Sequence, residues 1–315
     1  MNNRTAQLPV ARHVQPPEVV LVALDGSAAA ATALPVAQRL AHLLKMPLHV
    51  LHVATSPITA SSVAELLHLD AAGASTAEID VRAGDPSEEI LRAVKEQRTY
   101  LTVLTTHGRE IEADRHLGHV AEQVIASTMR PILLIRPEAA AAASTALEAK
   151  RFLLPLDGKA ATARALGSIT DIVCRLGGSF DVLFIADPVK LALPQMKEPG
   201  TLGIPRYVDQ PQHEWPAWMR EVLDYLGACS ARHPLGVPAR VHVVSGPITS
   251  VVLQFVAEHL EDVIVLVRRS HLEPGRAEVL RALLDETPCP VLLTGTPVSV
   301  RRSLRLRQST EHPSA

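Results

Sequence analysis

Apolar residues in this chain fall into short solid runs separated by stretches with helical spacing. From Val19 it reads VVLVALDGS, a run of strand length that ends in Asp-Gly. The next stretch, from Ser27 to Leu44, carries Leu34, Ala37, Leu40, Ala41 and Leu44 on one helical face, with Ser27 placed to cap its N-terminus. Pro47 opens a second run, LHVLHVA, and Val63, Leu66, Leu67 and Leu69 then predict a short helix. A third strand, Glu78 to Arg82, stops at Gly84-Asp85-Pro86-Ser87, where Ser87 or Asp85 caps a helix holding Ile90, Leu91 and Val94. A fourth run, Tyr100 to Leu104, breaks into Thr105-Thr106-His107-Gly108 and is followed by a helix with Val120, Val124 and Ile125. Pro131 to Ile135 is the fifth. Strands that are apolar throughout, rather than at alternate residues, belong to a parallel sheet covered by helices on both faces.

The programme then restarts. An offset of 132 residues places Asp157 on Asp25, Leu166 on Leu34, and Val182 to Ala186 on Val50 to Ala54. After an insertion the offset becomes 162, taking Gly84 to Gly246 and Val103-Leu104 to Val265-Leu266; it then falls to 159, taking Pro131 to Leu134 onto Pro290 to Leu293. Five runs matched in order predict two homologous βα domains. The expected boundaries are a disordered tail at 1–18, a first domain at 19–137, an Ala-rich linker at 138–150, a second domain at 151–297 and a basic tail at 298–315. The second domain contains the insertion, at 187–239, in which Trp215 and Trp218 either pack on the protein or present a binding surface.

Composition narrows the classes. The core is aliphatic, since 47% of residues are hydrophobic and only 3% aromatic, so a site of stacked rings is not expected. With 31 basic and 33 acidic residues there is no net field to attract nucleic acid or an anionic membrane. The arginines of the last segment, Arg301, Arg302, Arg305 and Arg307, are either a solvated end or a dock for an acidic partner. Cys174, Cys229 and Cys289 lack the spacing of a disulfide framework or a zinc site, and Cys174 and Cys289 lie in core-like surroundings. Neither a secretory leader nor a run of the roughly 18–20 apolar residues that span a bilayer is readable, so the expected location is cytoplasmic.

In an open parallel sheet, ligands bind beyond the carboxyl ends of the strands, where strand order reverses. If the first and fourth strands flank that point, Asp25 and the loop from Thr105 to His119 face one cleft. A glycine-containing loop running into a helix start offers backbone N–H groups and the positive end of a helix dipole, which suit a phosphate. His107 is either a loop residue packed in place or a base; Asp25 either closes its own turn or meets a ligand. No catalytic triad, metal cluster or activated cysteine is readable.

Taken together, Val-Ala-Leu-Asp-Gly-Ser at Val22, Leu51-His52-Val53, Gly84-Asp85-Pro86, Thr106-His107-Gly108, Leu-Gly-x-Val-Ala-Glu-x-Val from Leu117 and Pro-Ile-Leu-Leu-Ile ending at Ile135 resemble the universal stress protein family, in tandem. The resemblance implies two doubly wound α/β domains of the adenine nucleotide alpha hydrolase type, each a five-stranded parallel sheet, paired as a pseudo-dimer through Ile132 to Ile135 and Val291 to Leu293. One branch of the family binds ATP through Gly-2x-Gly-9x-Gly-Ser/Thr. Here the first glycine is replaced by Thr105, Gly108 and Gly118 are intact, and His119 stands for the Ser/Thr. The implied ligand residues are Ala23, Asp25 and Gly26 after the first strand, Val53 on the base side, and Leu104, Thr105, Gly108, Gly118, His119 and Val120 around the phosphates.

The second domain departs further, with Arg268 and Arg269 where the first has Thr106 and His107, and no ligand is expected there. The resemblance therefore implies a stress-response protein that binds ATP, with or without Mg²⁺, or another adenine nucleotide in its first domain, and acts on an unidentified protein partner. At most it hydrolyses ATP slowly, because no residue is evident to position a water. The alternative is a scaffold that binds no nucleotide and works through protein contacts. A homodimer of the whole chain is a further expectation.

Overall fold

The computed structural model describes residues 18–54, 77–108, 117–140, 151–156, 169–186, 238–259, 262–268 and 274–295. Ten strands are present among them: β1 (Val19–Ala23), β2 (Leu48–Ala54), β3 (Ala77–Ala83), β4 (Thr99–Thr105), β5 (Ile132–Ile135), β6 (Arg151–Leu156), β7 (Ser179–Ala186), β8 (Ala239–Ser245), β9 (Val263–Arg268) and β10 (Val291–Gly295). Each lies where the repeat offsets place its counterpart. The expected helix at residues 63–69, the two tryptophans, Asp157, Leu166, Cys229 and Arg269 fall outside the described residues.

The strands form one sheet in the order β3-β2-β1-β4-β5-β10-β9-β6-β7-β8. Each half is parallel and has its order reversed between its first and fourth strands. The halves meet through β5 and β10, which pair antiparallel with Leu133 opposite Leu292. The expected pairing of the two five-stranded sheets through Ile132 to Ile135 and Val291 to Leu293 is thus present, and main-chain hydrogen bonds across it make one sheet of ten strands.

Side chains alternate across this seam. Ile132, Leu134, Val291 and Leu293 point into one core, and Leu133 and Leu292 into the other, so both cores run through the two halves. The first core is covered by Ala33–Leu44 and by helical residues 169–176; the second by Pro86–Glu96, His119–Ser127, Ile248–His259 and Pro274–Glu286. Further contacts clamp the seam. The Tyr100 hydroxyl donates to Asp171 Oδ2 at 2.6 Å, and Arg175 lies 5.2 Å from the Tyr100 ring centre. Arg136 Nη1 donates to the carbonyls of Asp285 and Thr287 at the end of Pro274–Glu286, and Arg281 pairs with Glu122 at 3.1 Å.

Local details depart from the sequence pattern. The helix after β1 is broken into Ala28–Ala31 and Ala33–Leu44 at Thr32, whose hydroxyl donates to the Ala29 carbonyl at 2.6 Å. Asp85, not Ser87, caps Pro86–Glu96 by accepting from Glu88 N. Thr99 and Thr105 extend the fourth strand at both ends. Cys289 is buried as expected, whereas Cys174 is half-buried.

Candidate functional site

The site grows from the ends of β1 and β4, which are neighbours in the sheet. Leu24 N still donates to Leu51 O at 2.9 Å, so the chain leaves the sheet only at Asp25. There Gly26 takes φ of +82°, a conformation that costs a side-chain-bearing residue free energy. Asp25 Oδ1 accepts from Ser27 N at 2.8 Å, and Ser27 Oγ accepts from Ala30 N at 3.0 Å. The carboxylate therefore closes its own turn, which is one of the two roles the sequence allows it.

On the β4 side Thr106 is the pin. It is buried; its N–H donates to Ile135 O at 2.9 Å, and its carbonyl accepts from Gly118 N at 2.7 Å. These bonds bring the two ends of the glycine loop together and start the helix His119–Ser127 beside β4. Thr106 Oγ1 also lies 3.0 Å from His107 Nδ1, and His107 Nε2 is 3.4 Å from Glu138 Oε1. The Glu138 carboxyl is held below the ordinary carboxylate range, first by its own backbone N–H and then by His107 and Arg136.

The two loops meet. A Cβ built on Gly108 would come within 3.1 Å of the Asp25 carboxyl carbon and closer still to Oδ2, so only glycine fits there without displacing Asp25. Gly118 is under less constraint, since a Cβ there would be 3.4 Å from the Thr106 carbonyl oxygen.

Between the loops, at the point where strand order reverses, lies a cavity of about 360 Å³. Nine of the ten residues singled out from sequence line it: Ala23, Asp25, Val53, Leu104, Thr105, Gly108, Gly118, His119 and Val120. Gly26 does not; it shapes the turn that carries Asp25. One expectation about donors needs correction. The N–H of Gly118 is not available to a ligand, because Thr106 O takes it. The first-turn N–H groups that remain are those of His119, Val120 and Ala121, since the ladder begins with Glu122 N donating to Gly118 O.

Sequence reasoning missed His52, Pro86 and Ile90 in the wall. His52 is 4% exposed, and its Nδ1 lies 2.8 Å from Leu24 O. The carbonyl requires Nδ1 to be the donor, which makes Nε2 the acceptor of the neutral ring. A polar residue inside the apolar run LHVLHVA was the available signal. Near the rim, the Asp85 carboxyl is held low by the Ser87 hydroxyl and then by Glu88 N, with a smaller contribution from His119. No group of His, Cys, Asp and Glu able to hold a metal occurs among the described residues. None of the described helices is long and apolar enough to cross a membrane.

The family model described as the universal stress protein family matches residues 17–136 and again 148–295. The chain belongs to that family. Among solved structures, this universal stress protein is similar to one from Archaeoglobus fulgidus DSM 4304, at 16% identity over 89% of this chain and 98% of that one, with a TM-score of 0.59. It is also similar to a functionally unknown protein from Pseudomonas aeruginosa PAO1, at 14% identity over 89% of this chain and 93% of that one, with a TM-score of 0.56. A universal stress protein in complex with cAMP matches at 15% identity over 47% of this chain and 98% of its own, with a TM-score of 0.33. For the first two, at these identities, the likeness is one of fold. No curated protein matches the chain.

Proposed function

We propose that the protein is a stress-response regulator that binds ATP or another adenine nucleotide in the cavity of its first half and uses occupancy to bias its contacts with a protein partner. The observation that carries this reading is the packing of Gly108 against Asp25. It closes two loops over a cavity at the strand-order reversal, the position at which open parallel sheets bind ligands. The apolar wall of Val53, Leu104 and Ile90 suits a base. The N–H groups of His119, Val120 and Ala121 suit a phosphoryl oxygen at the positive end of the helix. The second half contributes the sheet and cores that hold the first in place.

The role is binding rather than turnover. Rapid phosphoryl transfer needs groups that clamp the transferring phosphate and orient the attacking water. His107 has its two ring nitrogens set against Thr106 and Glu138, which suits a residue that holds the loop. Calorimetric titration of the purified full chain with ATP, ADP and AMP, with and without Mg²⁺, tests the reading. Failure of all three to bind the folded protein at millimolar concentration rejects it.

A scaffold without ligand is the second reading, favoured by Thr105 at the first glycine position and by the commitment of Gly118 N to Thr106. Under it, wild type binds no nucleotide, and the double variant Thr105→Gly with His119→Ser gains ATP affinity. Under the first reading wild type already binds.

A further inference from the structure

Resting on the nucleotide reading, we infer that the cavity selects against polyphosphate: its occupant is an adenosine-class nucleoside or nucleoside monophosphate, and a triphosphate is the poorer ligand.

The charge of the wall is the first ground. Among the described residues that line the cavity there is no lysine or arginine, and the only formal charge with the imidazoles neutral is the carboxylate of Asp25. A monophosphate group brings about −1.5 to −2 at neutral pH, and each further phosphoryl adds about one more negative charge. In a partly enclosed site these charges meet little solvent screening, so each one without a fixed counter-charge opposes binding. By sequence the stretch joining Gly108 to Gly118 carries Arg109 and Arg115 against Glu110, Glu112 and Asp114.

The donor supply is the second ground. The N–H groups of His119, Val120 and Ala121 can serve the oxygens of one phosphoryl group, and His119, exposed at the same helix start, adds an imidazole. Gly118 N adds nothing to them, because it is spent on Thr106 O at 2.7 Å. Thr105 sets a β-branched side chain on the wall where the nucleotide-binding pattern has glycine. Asp85, which caps the helix that begins at the wall residue Pro86, adds a further carboxylate and no cation.

The rest of the wall points the same way. Leu51, Val53, Ile90 and Leu104 line it with apolar side chains, which suit a nucleoside and offer a phosphoryl oxygen no donor.

The test is isothermal titration of the full chain with adenosine, AMP, ADP and ATP in metal-free buffer containing EDTA, repeated with Mg²⁺. The expected order is AMP tightest, adenosine within about tenfold of it, and ATP at least about tenfold weaker than AMP without metal; Mg²⁺ narrows that gap without reversing it. The variant His119→Arg, which adds a permanent cation at the helix start, is expected to raise affinity for ATP more than for adenosine. ATP binding as tightly as AMP, or more tightly, in metal-free buffer overturns the selection against polyphosphate while leaving the nucleotide reading intact. Failure of all four ligands to bind the folded chain removes the nucleotide reading and this inference with it.

Discussion

The α-carbon of Gly108 sits against the carboxylate of Asp25, and this contact joins the loop after β4 to the loop after β1. Its energetic content is steric. A methyl group at Gly108 must displace a carboxylate that is already tied to Ser27 N at 2.8 Å. Gly108→Ala is therefore expected to destabilise the fold by about 1–3 kcal/mol, as overpacking does elsewhere. It should also weaken adenine nucleotide binding at least about tenfold, because a misplaced wall costs orientation. Because the clash needs both groups, Asp25→Ala should remove most of it. In a double-mutant cycle by urea denaturation, the double variant is expected to be more stable than the sum of the single effects. Strict additivity would show that the two loops are not coupled.

Gly118 should behave differently although it belongs to the same loop. It is the N-cap of His119–Ser127 with φ −62° and ψ 147°, an ordinary extended conformation, and it makes no side-chain cap. Serine fits, since the nearest atom to a Cβ is the Thr106 oxygen at 3.4 Å, and its hydroxyl can accept from a first-turn N–H. Gly118→Ser is expected to raise stability by up to about 0.5 kcal/mol, while Gly118→Ala lowers it by about 1 kcal/mol or less. Thermal melts of the two variants check the order.

The contrast between these glycines marks what a sequence carries and what it does not. The strands were legible because buried parallel strands must be apolar on both faces, whereas the seam through Ile132 to Ile135 and Val291 to Leu293 was implied by the family resemblance alone. The outer strand β3 was harder to bound. It has a single neighbour, is only partly buried, and carries Asp80 and Arg82 in a mutual ion pair at 2.8 Å. The break at Thr32 had no signal among flanking alanines. In the site, glycine spacing located the loop, but spacing does not say which N–H groups face the cleft. That Gly118 N is consumed by Thr106, and that His52 turns its ring towards Leu24, are tertiary facts set by where two carbonyls point.

Tyr100 and Asp171 tie the halves together from outside the β5–β10 pairing. Burial, then the hydrogen bond to Asp171, holds the phenol protonated far above its usual range. Tyr100→Phe keeps the ring under Arg175 and leaves Asp171 its bond to Arg175 Nε at 2.9 Å, so only the hydroxyl's contribution is lost. The expected cost is about 1.5–3 kcal/mol, the range for hydrogen bonds to charged groups. Because both hydrophobic cores cross the seam, unfolding of the variant should remain a single transition, read by coincident circular dichroism and fluorescence changes in denaturant. Two separated transitions would mean that the halves fold independently.

Asp262 gives a pH signature of the second half. It lies just before β9, is buried, and its Oδ2 accepts from Arg151 N at 2.6 Å while its own N–H donates to Arg151 O at 3.0 Å. Burial raises its carboxyl above the ordinary value of 3.8, and the Arg151 N–H and charge offset that only in part. A carboxyl whose folded pKa lies above its unfolded one binds protons more readily in the native state. Its contribution is therefore fully present below the unfolded value and is lost as pH rises through the folded one. At neutral pH the ionised group opposes folding. Asp262→Asn keeps an oxygen for Arg151 N and removes that charge, so the variant should be more stable than wild type at pH 7. The advantage should shrink as pH falls below the folded value, where wild type becomes protonated. Urea midpoints at pH 7 and pH 4 measure it; an asparagine variant less stable at pH 7 would show that the attraction of Arg151 for the carboxylate outweighs the cost of burial.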